Sequence, residues 1–297
     1  MKKCRASVVW MVVALMCLGM VAGAQAEQYD GFSYEAHYVT YDDAAVEGWT
    51  VMDYAETTGV LLSMHSNAAE VSVSVLDRSD APTLDELVEQ RVSSVSSYAT
   101  ILSEVARDDW YAPWLDSVSG CRIAYSYTFL SGAGDNVYQV VTYMAPLDDE
   151  SYVVVELTDW SGNVEATASA LEAGLLESFG IGTFSVTGSV GAFLTGAEER
   201  DGQVYLTLQP FDVQMTEDQL DYDVVVSGET QVVALSDDAR LLAPMTGDPG
   251  LLQDVALTAD AINSFVDGYR AENGKDCVFN VLMSDGLARW VTYSYLY

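Results

Sequence analysis

Residues 70–99, EVSVSVLDRSDAPTLDELVEQRVSSVSSYA, change their period halfway. Val71, Val73 and Val75 alternate with serines, the period-2 pattern of a strand with one apolar and one polar face. Beyond the turn residues, Leu84, Leu87, Val88, Val92 and Val95 recur every three or four positions and mark the apolar stripe of a helix. Thr83 and Glu86, behind Pro82, stand at capping-box spacing, so the helix start is written into the sequence.

Upstream, GFSYEAHYVTY (31–41), GWTVMDYA (48–55) and GVLLSMHS (59–66) are short extended runs of antiparallel type. Downstream, roughly 101–114 is extended, and CRIAYSYTF (121–129) places Cys121, Ile123, Tyr125, Tyr127 and Phe129 on one face. Residues 132–136 form a turn, and NVYQVVTYM (136–144) and ESYVVVELT (150–158) follow as strands. A second helix, NVEATASALEAGLLESFG (163–180), carries Leu171, Leu175, Leu176 and Phe179 and ends at Gly180. Strands, helix, strands, helix give an α+β domain, an antiparallel sheet covered by two helices.

These residues carry a family resemblance. Tyr29-Asp30-Gly31-Phe32-Ser33-Tyr34, the Gly48-Trp49 pair, PTLDEL (82–87) after a valine-rich strand, two long strands and a closing helix ending Glu177-Ser178-Phe179 resemble the PsbP-like superfamily, which includes DcrB-type and other PsbP-like exported bacterial proteins. The resemblance covers about 28–182 and implies the fold. The role of its extrinsic photosystem subunit is not carried over, because that subunit's binding residues are not matched to positions here.

From Ile181 the composition turns to Gly, Ser and Thr, which sets a domain boundary near 182: a domain over 27–182 and a smaller one over 183–297. The second contains SVGAFLTGAEER (189–200), an Asp201-Gly202 turn, QVYLTLQPFDV (203–213), and DVVVSGETQVVALS (223–236) as a third strand. A Pro/Gly-bearing segment leads to a helix from Thr258, with Ile262, Phe265, Val266 and Tyr269 on one face and Gly274 as its left-handed cap. CVFNVLM (277–283) and ARWVTYSYL (288–296) flank a Ser284-Asp285-Gly286 hairpin turn. Three strands, a helix and a two-strand hairpin are the element order of a small β-rich, OB-like barrel.

The N-terminus reads MKKCRASVVWMVVALMCLGMVAGAQA (1–26): basic residues, an apolar run from Val8 to Val21, then Ala24-Gln25-Ala26. This is the pattern of a signal peptide cleaved after Ala26. A retained anchor is the alternative, but the run is shorter than the ~20 residues of a spanning helix. Lipid attachment at Cys17 is disfavoured by Met16 before it. Without residues 1–26, nine Lys and Arg face 45 Asp and Glu, a net charge of −36. Such a chain repels nucleic acid and anionic lipid and favours cationic partners, among them Ca²⁺, basic peptides and amine-bearing or other carbohydrate components of the envelope. Adaptation to salt or acid is the competing explanation of the charge. With 50% apolar residues the chain is no disordered acidic tail. Cys121 and Cys277 both fall on apolar strand faces in different domains, which reads as two separate buried thiols.

Motifs for chemistry are sparse. There are two histidines, His37 and His65, both in strand patterns, and no G-x-S-x-G, C-x-x-C or phosphate-binding glycine loop. No cofactor or metal is implied. Lys275, beside Asp276 and Cys277, lies in a turn entering a strand, and the adjacent acid opposes a reactive thiol. ARDDWYAPWLDS (106–117) stands above this background, with Trp110, Tyr111 and Trp114 framed by Asp108, Asp109 and Asp116. Aromatic platforms with carboxylates suit sugars or cationic ligands, whereas aromatics at alternating positions also suit a core. The expected function is an exported, acidic, non-enzymatic binding or accessory protein of the bacterial envelope or extracellular space. The alternatives are a hydrolase assembled from scattered residues and an envelope assembly factor.

Overall fold

The computed structural model describes residues 34–53, 55–56, 59–115, 118–130, 136–215, 222–245 and 248–294. The signal segment, residues 29–33, Asp116 and most of the turn at 132–136 lie outside them. The fold is mostly β, and its contacts divide it into two compact units, Tyr34–Ser185 with Leu242–Gln253, and Val186–Leu241 with the chain from Asp254 on. Among the described residues no helix is long and apolar enough to cross a membrane.

In the first unit the strands are β1 (Tyr34–Thr40), β2 (Thr50–Asp53), β3 (Ala55–Glu56), β4 (Gly59–His65) and β5 (Ala69–Asp77), followed by helix α1 (Leu84–Ser96). Then come β6 (Ala99–Ile101), β7 (Ala106–Ala112), β8 (Val118–Phe129), β9 (Tyr138–Pro146) and β10 (Ser151–Asp159). Helix α2 (Val164–Leu171) and β11 (Gly180–Val186) close the unit. An eight-stranded sheet has the order β2-β4-β5-β10-β9-β8-β6 with β7 also on β8, and β11-β1-β3 form a second, three-stranded sheet. Residues 181–186, where the composition changes, belong to the strand β11.

The capping box at α1 is present: Thr83 Oγ1 accepts from the Glu86 N–H at 3.2 Å, and Glu86 Oε2 accepts from the Thr83 N–H at 3.0 Å. The two helices take opposite faces of the large sheet. Leu87 and Val95 of α1 pack on Cys121, Ile123, Tyr125 and Val154. Leu171, Leu175, Leu176 and Phe179 pack on Val71, Val73, Val141, Tyr143 and Val155. Each fully buried Leu or Val here contributes ~1.5–3 kcal/mol. The second helix departs from expectation after Leu171, where a π turn over Glu172–Leu176 brings the consecutive Leu175 and Leu176 both into the core. Its N-terminal Asn163 makes no side-chain cap; Asp159 instead accepts from the N–H groups of Ser161 at 2.8 Å and Gly162 at 3.0 Å. Gly120 lies where β8 meets β9 so closely that a Cβ would run into the Met144 carbonyl oxygen.

The rest of the chain contains β12 (Gly188–Arg200), β13 (Gln203–Met215), β14 (Tyr222–Val226), β15 (Gln231–Met245) and β16 (Asp248–Asp254), then α3 (Ala259–Asn273), β17 (Cys277–Ser284) and β18 (Leu287–Tyr293); of these the end of β15 from Leu242 and β16 up to Gln253 are grouped with the first unit. The sheet order is β14-β13-β12-β17-β18-β15-β16, and because β13 also pairs with β15, the five strands β12, β13, β15, β18 and β17 close into a barrel. The helix falls between its third and fourth strands. Asp201-Gly202 and Asp285-Gly286 each have two successive positive φ angles, 52° and 80°, then 50° and 81°. Such turns match the twist of antiparallel strands. Thr258 caps α3 and Gly274 ends it at φ 69°. Asn263 fixes α3 to β12 by bonding both backbone groups of Ala197, each at 2.8 Å, just past the bulge between Leu194 and Gly196. Two differences from the sequence reading concern strands. DVVVSGETQVVALS holds two, β14 and β15, parted at Ser227–Thr230, and the Pro/Gly-bearing segment continues β15 and forms β16. Pro249 falls in β16, the strand that ends the sheet order, the position in a sheet where proline is best accommodated.

Candidate functional site

Strand β7 carries the aromatic–acidic segment and pairs along its length with β8, with Asp108 opposite Arg122, Asp109 opposite Cys121 and Trp110 opposite Gly120. Alternation divides its side chains between the two faces. Trp110 turns toward the α2 face, where its ring lies 5.2 Å from Tyr143 and 5.3 Å from Trp114. Trp114 in turn packs edge-on to Phe179 at 4.6 Å. Both tryptophans are partly buried against the core of that face. Asp108 joins an ion network: Arg122, itself mostly buried, reaches Asp108 at 3.8 Å, Glu165 at 2.8 Å and Glu172 at 3.8 Å. Tyr143 donates to Glu172 Oε1 at 2.6 Å, and burial together with that carboxylate raises its phenol pKa, keeping it a donor.

Asp109 and Tyr111 point the other way and are exposed, Tyr111 by 57%. Beside them Arg107 is held at 2.6 Å by Asp85 of α1. The segment is therefore not one convergent site: Trp110 and Trp114 go inward, Asp108 joins the arginine network, Asp109 and Tyr111 face solvent, and Asp116 is outside the described residues. Charges along a strand at a sheet edge also deter pairing with another chain.

A second constellation, missed in the sequence, is built by strand register. Ser63, Ser72, Glu156 and Thr142 form one row across β4, β5, β10 and β9, on the face that bears α1. In the next row His65 is opposite Glu70. Ser63 Oγ and His65 Nε2 lie 2.8 Å apart. Arg91 reaches down from α1 to Glu156 at 2.7 Å, and Thr142 Oγ1 donates to the same carboxylate at 3.3 Å. Burial raises the Glu70 carboxyl pKa; His65 opposes that shift and Glu156 adds to it. The Val/Ser alternation of β5 announced a polar face, but not which polar residues of three other strands would join it. A serine within hydrogen-bond reach of an imidazole is a nucleophile–base pair. Ser63 is nevertheless buried in a strand flanked by β2 and β5, where backbone N–H groups serve the ladder and are not gathered as oxyanion donors.

The thiols are set apart from both places. Cys121 and Cys277 are free and buried, and burial raises both pKa values, that of Cys277 to about 12. Among the described residues no group of three or more His, Cys, Asp or Glu is placed to hold a metal ion.

The chain matches no protein-family model and no curated protein. It is similar to the solution structure of cyanobacterial PsbP (CyanoP) from Synechocystis sp. PCC 6803, with a TM-score of 0.34 and 14% identity, covering 50% of this chain and 93% of that one.

Proposed function

We propose that this is an exported, non-enzymatic binding or accessory protein of the bacterial envelope or its surroundings, and that its ligand is cationic. The observation that carries the reading is the state of its arginines. Arg91, Arg107, Arg122, Arg200, Arg240, Arg270 and Arg289 each pair with a carboxylate. Arg78 donates to the Asp148 carbonyl at 2.9 Å and lies over the Tyr152 ring. An anionic ligand thus meets arginines already engaged, while 45 Asp and Glu leave most carboxylates with no basic side chain to match. Asp109 and Tyr111 supply the contact surface, since a carboxylate beside an exposed ring attracts an amine by charge and by cation–π contact. The signal-peptide pattern over 1–26 supports export.

The test is equilibrium binding of a glucosamine oligosaccharide, with its N-acetylated form as the neutral control. Binding should require the free amine, weaken with added salt, and fall in both Asp109→Asn and Tyr111→Ala. Equal binding of both sugars, or no effect of either substitution, rejects the reading. The Ser63–His65 contact favours one second reading, a hydrolase. Ester turnover that disappears in Ser63→Ala would replace the binding role.

A further inference from the structure

Where β5 ends and β10 begins lies a cleft of about 400 Å³, lined by Asp77, Arg78, Ser79, Pro82, Asp149 and Glu150. Two segments of the first unit build it, the loop from β5 to α1 and the turn from β9 to β10. The Arg78 N–H donates to the Glu150 carbonyl at 2.8 Å, and the Tyr152 hydroxyl donates to that of Pro82 at 3.1 Å. Asp148 closes the turn, its Oδ1 accepting from the N–H groups of Glu150 at 2.8 Å and Ser151 at 2.7 Å. The walls are therefore fixed before a ligand arrives, which lowers the ordering cost of binding.

Arg78 differs from the seven arginines that pair with carboxylates. Its Nη1 donates to the Asp148 carbonyl at 2.9 Å, and its guanidinium lies 4.8 Å from the centre of the Tyr152 ring. Neither contact neutralises the charge, although three carboxylates line the same cleft. Asp77 spends its Oδ1 on the Ser79 N–H at 2.6 Å. Asp149 and Glu150 are exposed, and among the described residues their side chains have no hydrogen-bond or ion-pair partner. The cleft thus holds a cation from one segment and two unspent carboxylates from the other, all three unmatched.

A purely anionic ligand would be repelled by Asp149 and Glu150, and a purely cationic one would leave Arg78 unmatched. A ligand with both charges satisfies all three groups: its carboxylate takes the remaining guanidinium N–H groups, and its ammonium takes the two carboxylates. The geometry points to this cleft as a binding site for a short zwitterionic peptide, a dipeptide with both ends free. In a single amino acid both charges flank one carbon, whereas each added residue parts them by ~3.3–3.6 Å, as poles that must reach side chains of two segments require. The volume lies within the ~300–1,000 Å³ of small-molecule sites. The cleft shares no residue with the Asp109–Tyr111 surface, so the inference does not rest on that reading.

Isothermal titration calorimetry of the purified protein with alanylalanine is the test, with N-acetyl-alanylalanine and alanylalanine amide as the probes that lack one charge. Blocking either end should weaken binding by about tenfold or more. Arg78→Gln should weaken the free dipeptide by a similar factor and abolish the preference for a free carboxylate. The double change Asp149→Asn with Glu150→Gln should abolish the preference for a free ammonium. Both of its positions are exposed, so it stays informative if Arg78→Gln, which uncovers Tyr152, fails to fold. Asp109→Asn should bind the dipeptide like the parent. No binding up to ~20 mM dipeptide overturns the inference. So does equal binding of the free and amidated dipeptides, or binding unchanged in the Asp149/Glu150 double variant.

Discussion

Replacing Trp114 by alanine distinguishes a core role from a ligand platform. The ring sits 4.6 Å from Phe179 and 5.3 Å from Trp110, which in turn touches Tyr143. An aromatic side chain buries ~150–250 Å². For this partly buried ring the lower figure applies, and at ~25 cal/mol per Å² it corresponds to ~4 kcal/mol. Loss of the edge-on contact with Phe179 adds ~0.5–1.5 kcal/mol, while collapse of Trp110 into the space recovers some of the total, leaving ~3–5 kcal/mol. Its Nε1 has no hydrogen-bond partner among the described residues, so the ring's removal forfeits packing alone. Denaturant unfolding followed by tryptophan fluorescence suits the measurement, because Trp49, Trp110 and Trp160 remain as reporters in the first unit. Tyr111→Ala, in the same strand system but exposed, should change stability by no more than ~0.5 kcal/mol. A Trp114→Ala loss below ~1 kcal/mol, accompanied by loss of ligand binding, would refute the packing account and restore the ring as a platform.

Gly120→Ala should destabilise the first unit by ~2 kcal/mol or more, since the new methyl group meets the Met144 backbone oxygen, which cannot move without breaking β9; an unchanged denaturation midpoint counts against the close strand approach. Cys121 and Cys277 should react with a thiol reagent at neutral pH only after unfolding and without a reductant, because burial disfavours both thiolates; rapid labelling of the folded chain, or a mass showing the two joined, would contradict this. At Asp159 burial opposes ionisation, but hydrogen bonds from Ser161, Thr167 and Asn163 outweigh it and hold the carboxyl below the usual aspartate range. Its contribution is therefore fully present above the unfolded-state value of ~3.9 and is lost as pH falls through the lower folded value. Asp159→Asn should flatten the acid limb of a stability–pH curve, and an identical limb in the variant would show that this carboxyl does not contribute to it.

Local features were legible in the sequence because neighbouring residues determine them. Thr83 and Glu86 make the capping box, Gly274 takes the left-handed cap, and both Asp-Gly turns have positive φ, since each depends on a few adjacent backbone groups. The alternation in β5 and β8 gave each strand an inner and an outer face. The sequence presents 106–117 as one aromatic–acidic site, whereas the strand β7 puts Asp108 with Trp110, and Asp109 with Tyr111, on opposite sides. Which side would be covered was not written there, because α2 and Phe179, which bury the tryptophans, lie far along the chain.

Wherever the deciding partner is distant, only the tertiary structure decided. The row of Ser63, Ser72, Glu156 and Thr142 exists because four strands meet in one register, and a slip of one residue would turn each of these side chains to the opposite face. Asp159 holds the turn before α2 through the N–H groups of Ser161 and Gly162, and the π turn after Leu171 follows from the need to bury two adjacent leucines. Closure of the barrel rests on the pairing of β13 with β15, across a run the sequence presented as one strand. Composition and period are properties of a window of residues, whereas register and burial are settled by long-range pairing whose loop-closure entropy leaves no trace in any single window.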